Sequence, residues 1–198
     1  MKDKITIIGG GLAGWATASA FSKNGYLVDI FDKKNQSFGS QQISPNGWLA
    51  LSKLIDIKKI KPFFESFNKI QIKFMNASQR IELLCSLDFD NEAINYGSIE
   101  RESIIKLLKE SALKKGSITV HNSHIKHIIS NNGINEIIDE NQNIYVSTSI
   151  IGADSINGVS RKFVMGSEGK SKHKKVFRGI SFNYSSYQLA RSSLQLII

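Results

Sequence analysis

Cysteine, proline and uninterrupted apolar runs are what this 198-residue chain has least of. Its one cysteine, Cys85, excludes an intrachain disulfide and fits a reducing cytosol, so a cytoplasmic protein is expected. With no partner base to identify, Cys85 reads as a small buried residue rather than a nucleophile. No apolar run is continuous enough for a membrane span. Lys2 and Lys4 ahead of the apolar stretch Ile5–Phe21, with Ala18-Ser19-Ala20 near its end, imitate a signal peptide. Three consecutive glycines within that stretch argue against the apolar helix such a peptide needs. Acidic residues are scarce only towards the end. Residues 1–160 carry 18 basic and 16 acidic side chains, whereas residues 161–198 carry 8 basic and 1 acidic. The formal charge of +9 is thus local, centred on Lys170, Lys172, Lys174, Lys175 and Arg178. Without interleaved aromatics that run reads as a solvated loop, and no nucleic-acid partner is expected.

What is present begins with Ile5-Thr6-Ile7-Ile8, a short β-branched run ending in glycine, as in a buried parallel strand. Residues 11–24 read as a helix with Leu12, Ala13, Ala16, Ala20 and Phe21 as its apolar stripe, stopped by Asn24-Gly25. Tyr26–Phe31 reads as a second strand, completing a βαβ unit. Lys33–Ser44 is polar and loop-like. Ser44-Pro45 opens a helix through Trp48, Leu51 and Leu54. Lys69–Met75 and Arg80–Leu84 alternate as two antiparallel strands. Residues 100–115 form a helix with Ile104, Ile105, Leu107, Leu108 and Ala112 inward, and Ile118–His121 a strand. Strand-like pieces follow near 124–130, 134–138 and 143–146, with Asn131-Asn132-Gly133 as a turn. Ser149-Ile150-Ile151 reads as a last buried strand. The chain closes on the apolar Leu194-Gln195-Leu196-Ile197-Ile198, an unpaired strand that suggests truncation.

Gly9-Gly10-Gly11-Leu12-Ala13-Gly14 satisfies G-x-G-x-x-G after a strand and at a helix start, with Asp32 18 residues beyond Gly14. Each part has a physical use. Gly9 permits a tight turn, and Gly11 lets backbone approach a pyrophosphate. Gly14 allows close helix–strand packing, with Ala18 keeping the same face small. The unpaired N–H groups at Leu12 and Ala13 meet the phosphates at the positive end of the helix dipole. Asp32 accepts the adenosine ribose hydroxyls and repels a 2′-phosphate, which favours FAD or NAD over NADP. Lys33 beside it joins the expected cofactor-binding set. His121, His124 and His127, three apart in a strand region, alternate faces, so no metal site is expected.

Four stretches resemble the single-component FAD-dependent aromatic monooxygenases, the group of the salicylate, p-hydroxybenzoate and ubiquinone-pathway hydroxylases. They are the fingerprint IIGGGLAGWATASA, Gln42-Ile43-Ser44-Pro45-Asn46-Gly47, Ile99-Glu100-Arg101-Glu102-Ser103-Ile104, and Ile150-Ile151-Gly152-Ala153-Asp154 with Arg161 trailing. The resemblance implies an α/β, Rossmann-type FAD-binding fold of the glutathione-reductase style. It implies inserted strands over about 58–98 that lead towards a partial substrate domain. It further implies NADH or NADPH as reductant and a small aromatic substrate. By it, Arg101 reaches the FAD pyrophosphate, Ile125 presents backbone to the adenine, and Asp154 sits towards the flavin. The family's glycine after that aspartate is Ser155 here, and its later serine is Gly158. A φ above zero would strain Ser155. A second "GDAAH" segment, which in the family contacts the flavin, is not found. The whole 198 residues therefore read as a FAD-binding domain incomplete at its C-terminus. That domain would associate with a missing half and contain no identifiable catalytic acid or base. A non-catalytic FAD- or ADP-binding fragment, or another flavin oxidoreductase sharing the βαβ unit, are the alternatives.

Overall fold

The computed structural model describes residues 3–33, 39–76, 78–88, 96–166 and 193–197. Its elements in chain order are β1 (Lys4–Ile8), α1 (Leu12–Lys23), β2 (Leu27–Phe31), β3 (Ser40–Ile43), α2 (Pro45–Leu54), α3 (Ile57–Ile60), β4 (Phe64–Ser66), β5 (Lys69–Met75), β6 (Ile81–Asp88) and β7 (Gly97–Glu100). They continue with α4 (Arg101–Leu113), β8 (Ile118–His121), β9 (Ile125–Asn131), β10 (Ile134–Asp139), β11 (Ile144–Ser147), β12 (Ile150–Gly152), α5 (Val159–Met165) and β13 (Ser193–Ile197). Two compact units result, Met1–Phe38 with Ile104–Gly179, and Gly39–Ser103 with Ile180–Ile198.

The first unit is built on a parallel sheet in the order β12-β1-β2-β8. β1 pairs with β2 on one side and β12 on the other, and β2 pairs with β8. The chain thus leaves β1 in one direction for β2 and β8, and returns on the opposite side as β12. That reversal at the carboxyl ends of β1 and β12 is the place where open α/β sheets bind ligands. The β-branched residues Thr6, Ile7, Ile8, Val28 and Ile30 are buried because a parallel sheet is covered on both faces. An antiparallel meander, β9-β10-β11, is inserted between β8 and β12. Its Ile125 and Ile137 pack with Ile8 and Phe31, flanked by Ile128, Tyr145, Ile150 and Val159.

α1 buries Gly14, Trp15, Ala18, Ser19 and Ser22. This corrects the expected stripe: Leu12, Ala16, Ala20 and Phe21 are only half-buried and Ala13 is exposed. The sheet takes the face with the smallest side chains because they let the helix axis come near, and Trp15 fills the remaining depth at 0% exposure. α4 buries Ile104, Leu107, Leu108 and Ala112, as its spacing predicts, while Ile105 is half-buried. β12 is an edge strand, so Ile150 and Ile151 are half-buried rather than fully inside.

The second unit holds two three-stranded sheets, β3-β7-β4 and β13-β5-β6. β5 and β6 are antiparallel, as their alternation predicts, with a register shift between Ile72 and Lys73. Pro45 opens α2, whose Trp48 packs on Phe64 with ring centroids 4.5 Å apart. β3 falls within the stretch expected to be a loop, since Ser40–Ile43 finds a partner in β7 that its polar sequence does not announce. The closing apolar segment is not unpaired: β13 lies parallel to β5. Cys85 is exposed, not buried, because β6 is the outer strand of its sheet. The basic run Lys170–Arg178 lies outside the described residues.

Candidate dinucleotide site

The glycine turn sits where β1 ends and α1 begins. Gly9 has φ +110°, and a Cβ there would also strike the Ala153 backbone, so no other residue fits. A Cβ on Gly14 would overlap the Gly9 carbonyl oxygen, which is how the third glycine lets the helix start press onto the turn. Gly11 differs: among the described residues nothing lies within 4 Å of the point a Cβ would occupy. It is the N-cap of α1 without a side-chain cap, and the first turn carries no acidic residue. The first intrahelical bond runs from Trp15 N–H to the Gly11 carbonyl at 3.0 Å. The N–H groups of Leu12, Ala13 and Gly14 therefore have no intrahelical acceptor. Together these features form a cradle for an anion at a positive helix end.

Asp32 follows β2 directly. Its N–H donates to the His121 carbonyl at 2.9 Å, which ties it to the end of β8. The carboxylate lies over Gly10, where a Cβ would run into it. Sequence reading gave Gly10 no role; the close approach of Asp32 is visible only once β2 lies beside β1. Lys33 is exposed next to it. Ile125 opens β9 and is 2% exposed, packed in the core with Ile8, Phe31 and Ile137. Burial lowers the pKa of His124, between β8 and β9, below the usual imidazole value. Lys126 and Lys33 add to that, while Glu140 and Asp154 oppose it.

On the other side of β1, Ala153 N–H donates to the Ile8 carbonyl at 2.7 Å, so the Gly152-Ala153-Asp154 segment lines the glycine turn. A cleft of about 510 Å³ opens there, bounded by Ala13, Gly152–Ser155, and Ser160, Arg161, Val164 and Met165 of α5. The Asp154 carboxylate accepts the Ser160 N–H at 3.0 Å and rests on Gly158, so it caps α5 from six residues upstream. α5 itself was not foreseen; its flanking glycines, Gly158 and the left-handed Gly166, are the signal that could have found it. Ser155 has φ +77°, the left-handed backbone expected of a glycine there. The Ser160 hydroxyl is buried without a hydrogen-bond partner among the described residues. The structure thus gathers Gly9, Gly11, Leu12, Ala13, Gly14, Asp32, Lys33, Ile125 and Asp154 in one unit. Arg101 belongs to the other, where it opens α4 and donates its backbone N–H to Gly39 at 2.9 Å. Among the described residues no three His, Cys, Asp or Glu side chains form a metal-binding group.

The βαβ unit, the strand order and the glycine turn define a Rossmann-type dinucleotide-binding fold. A family model described as an NAD(P)-binding Rossmann-like domain matches residues 7–47. No curated protein matches the chain in sequence. Solved structures share its fold. FqzB is 17% identical with a TM-score of 0.68, covering 83% of this chain and 39% of its own. CtdE in complex with FAD and substrate 4 is 20% identical with a TM-score of 0.66, covering 82% and 40%. The tetrameric form of 2-methyl-3-hydroxypyridine-5-carboxylic acid oxygenase is 20% identical with a TM-score of 0.64, covering 80% and 41%. The chain spans about two fifths of the length of these structures.

Proposed function

We propose that this chain is the FAD-binding portion of a flavoprotein monooxygenase that hydroxylates a small aromatic substrate with NADH or NADPH as reductant. The observation that carries the reading is the uncapped α1 start at Gly11, open where a Cβ would sit, with Asp32 at the end of the neighbouring strand. Support comes from the fold, shared with a FAD complex and with an oxygenase. In this reading Gly11, Leu12, Ala13 and Gly14 bind the pyrophosphate through backbone N–H groups, and Gly9 shapes the turn. Asp32 accepts ribose hydroxyls, Lys33 neutralises charge beside it, and Ile125 offers backbone to the adenine. Arg101 contributes a cation to the pyrophosphate. Asp154 holds the start of α5 in place at the flavin side. Bound FAD supplies the redox and oxygen chemistry, and the protein positions it and excludes water. Residues 1–198 would form this domain, with about 58–98 as strands leading towards the substrate domain.

A second reading is a chain that binds FAD or ADP without turnover. The visible absorbance of the purified chain with and without added FAD tests the cofactor. A flavin spectrum co-eluting with the protein, and lost in Gly11→Trp, is the expected result. If no flavin binds at micromolar concentrations, the FAD reading fails while the fold stands. Turnover of NADH or NADPH by a flavin-loaded chain then separates the monooxygenase reading from the binding fragment.

A further inference from the structure

Asp139 is 1% exposed, and a carboxylate that far from water persists only where hydrogen bonds replace its hydration. It closes β10 and accepts from the Asn141 N–H at 2.9 Å, the Asn143 N–H at 2.9 Å, the Asn143 side-chain amide at 3.0 Å and the Tyr145 hydroxyl at 3.4 Å. All four donors belong to the β10–β11 hairpin and would serve a turn aspartate by themselves. The shortest bond goes elsewhere. The Ser123 hydroxyl, 16 residues upstream between β8 and β9, donates at 2.7 Å. Ser123 is itself 7% exposed, and its N–H donates to the His121 carbonyl at 3.0 Å. That same carbonyl accepts the Asp32 N–H. Across the strand pair Asp139 lies opposite Ile125, and the register shifts between Ile138 and Asp139. A bulge of this kind re-aims a side chain. Here it brings the carboxylate to Ser123. Burial pushes the Asp139 pKa up, but the bonds from Asn143, Ser123 and Asn141 outweigh it and hold the group at about 2.

We infer that Asp139 is a positioning residue for the adenosine end of the dinucleotide site, acting through Ser123 on the β8–β9 segment. The inference rests on the FAD-binding reading above. One carboxylate fixes Ser123, whose backbone shares the His121 carbonyl with Asp32, and faces Ile125 across the strand pair. The ribose acceptor and the adenine-facing backbone are thereby held in one frame. Among the described residues neither Ser123 nor Asp139 bonds to the glycine turn. That turn is held by the Gly9 N–H on the Phe31 carbonyl and the Ala153 N–H on the Ile8 carbonyl, so the pyrophosphate cradle keeps its own supports.

The test compares the wild-type chain with Ser123→Ala, which removes only the linking bond, and with Asp139→Asn, which keeps the shape. Dissociation constants for FAD, ADP and inorganic pyrophosphate are measured by equilibrium binding, well below each protein's unfolding midpoint. The expected result is a loss of about tenfold in FAD and ADP affinity with pyrophosphate affinity unchanged. A purely structural role for Asp139 would weaken all three ligands together or none of them, and either pattern overturns the inference while the FAD-binding reading stands on the wild-type chain. A wild-type chain that binds none of the three removes the FAD reading itself, and the inference with it.

Discussion

Ser155 shows how a single backbone angle constrains chemistry at the cleft. At φ +77° a side chain crowds its own backbone, which costs about 1 kcal/mol relative to glycine. Glycine recovers that in the folded state but adds roughly 0.5 kcal/mol of chain entropy to be lost on folding. Ser155→Gly is therefore expected to stabilise the chain by roughly 0.5 kcal/mol. The measurement is the denaturant midpoint at unchanged slope. A lowered midpoint would mean that the Ser155 side chain makes a favourable contact in the cleft that outweighs its strain. Asp154 shows the complementary case. Its carboxylate is engaged with the Ser160 N–H, so its first role is to hold α5, whatever it later offers a ligand.

Helix α1 joins two demands in one element. Its first turn stays uncapped, as the proposed pyrophosphate contact needs, and its sheet-facing side must stay narrow enough to bring that turn against Gly9. Residues at 14, 18 and 22 meet the second demand with glycine, alanine and serine, while Trp15 occupies the one wide space. Enlarging Ala18 to leucine is expected to cost about 1–3 kcal/mol, because the sheet leaves no volume beside it. The same change at half-buried Ala16 is expected to cost less than about 0.5 kcal/mol. Equilibrium unfolding of the two variants decides the matter. The stripe that periodicity alone suggests would give the reverse order, so the pair also tests which face the sheet covers.

The whole molecule leaves considerable apolar surface outside. β6 is the outer strand of β13-β5-β6, and Ile81, Leu83, Leu84 and Leu87 along it are each 52–57% exposed. An edge of this kind, apolar on both faces, is a template for further pairing. The purified chain is expected to bind a hydrophobic dye and to associate as its concentration rises. Replacing Leu83 and Leu87 by lysine should reduce both. A monodisperse monomer with no affinity for the dye would contradict this. Among the described residues no helix is long and apolar enough to cross a membrane.

The sequence by itself determined the βαβ unit, the glycine turn and the position of Asp32. The reason is that these depend on near neighbours: a β-branched run, residues without Cβ, and a helix start fixed by local backbone. The β5–β6 pair, α2, α4 and the meander were legible for the same reason, from period and turn residues. Only the tertiary structure decided that Trp15, Ser19 and Ser22 join Gly14 and Ala18 on the buried face of α1 while Leu12, Ala16, Ala20 and Phe21 stay half-buried, since that depends on where the sheet lies against the helix. It alone paired Ser193–Ile197 with β5, turned Ser40–Ile43 into a strand and left Cys85 on an edge. It alone brought Gly10 under Asp32, and Ser123 to Asp139. Those contacts join residues far apart in the chain, and no local propensity encodes which of them will meet.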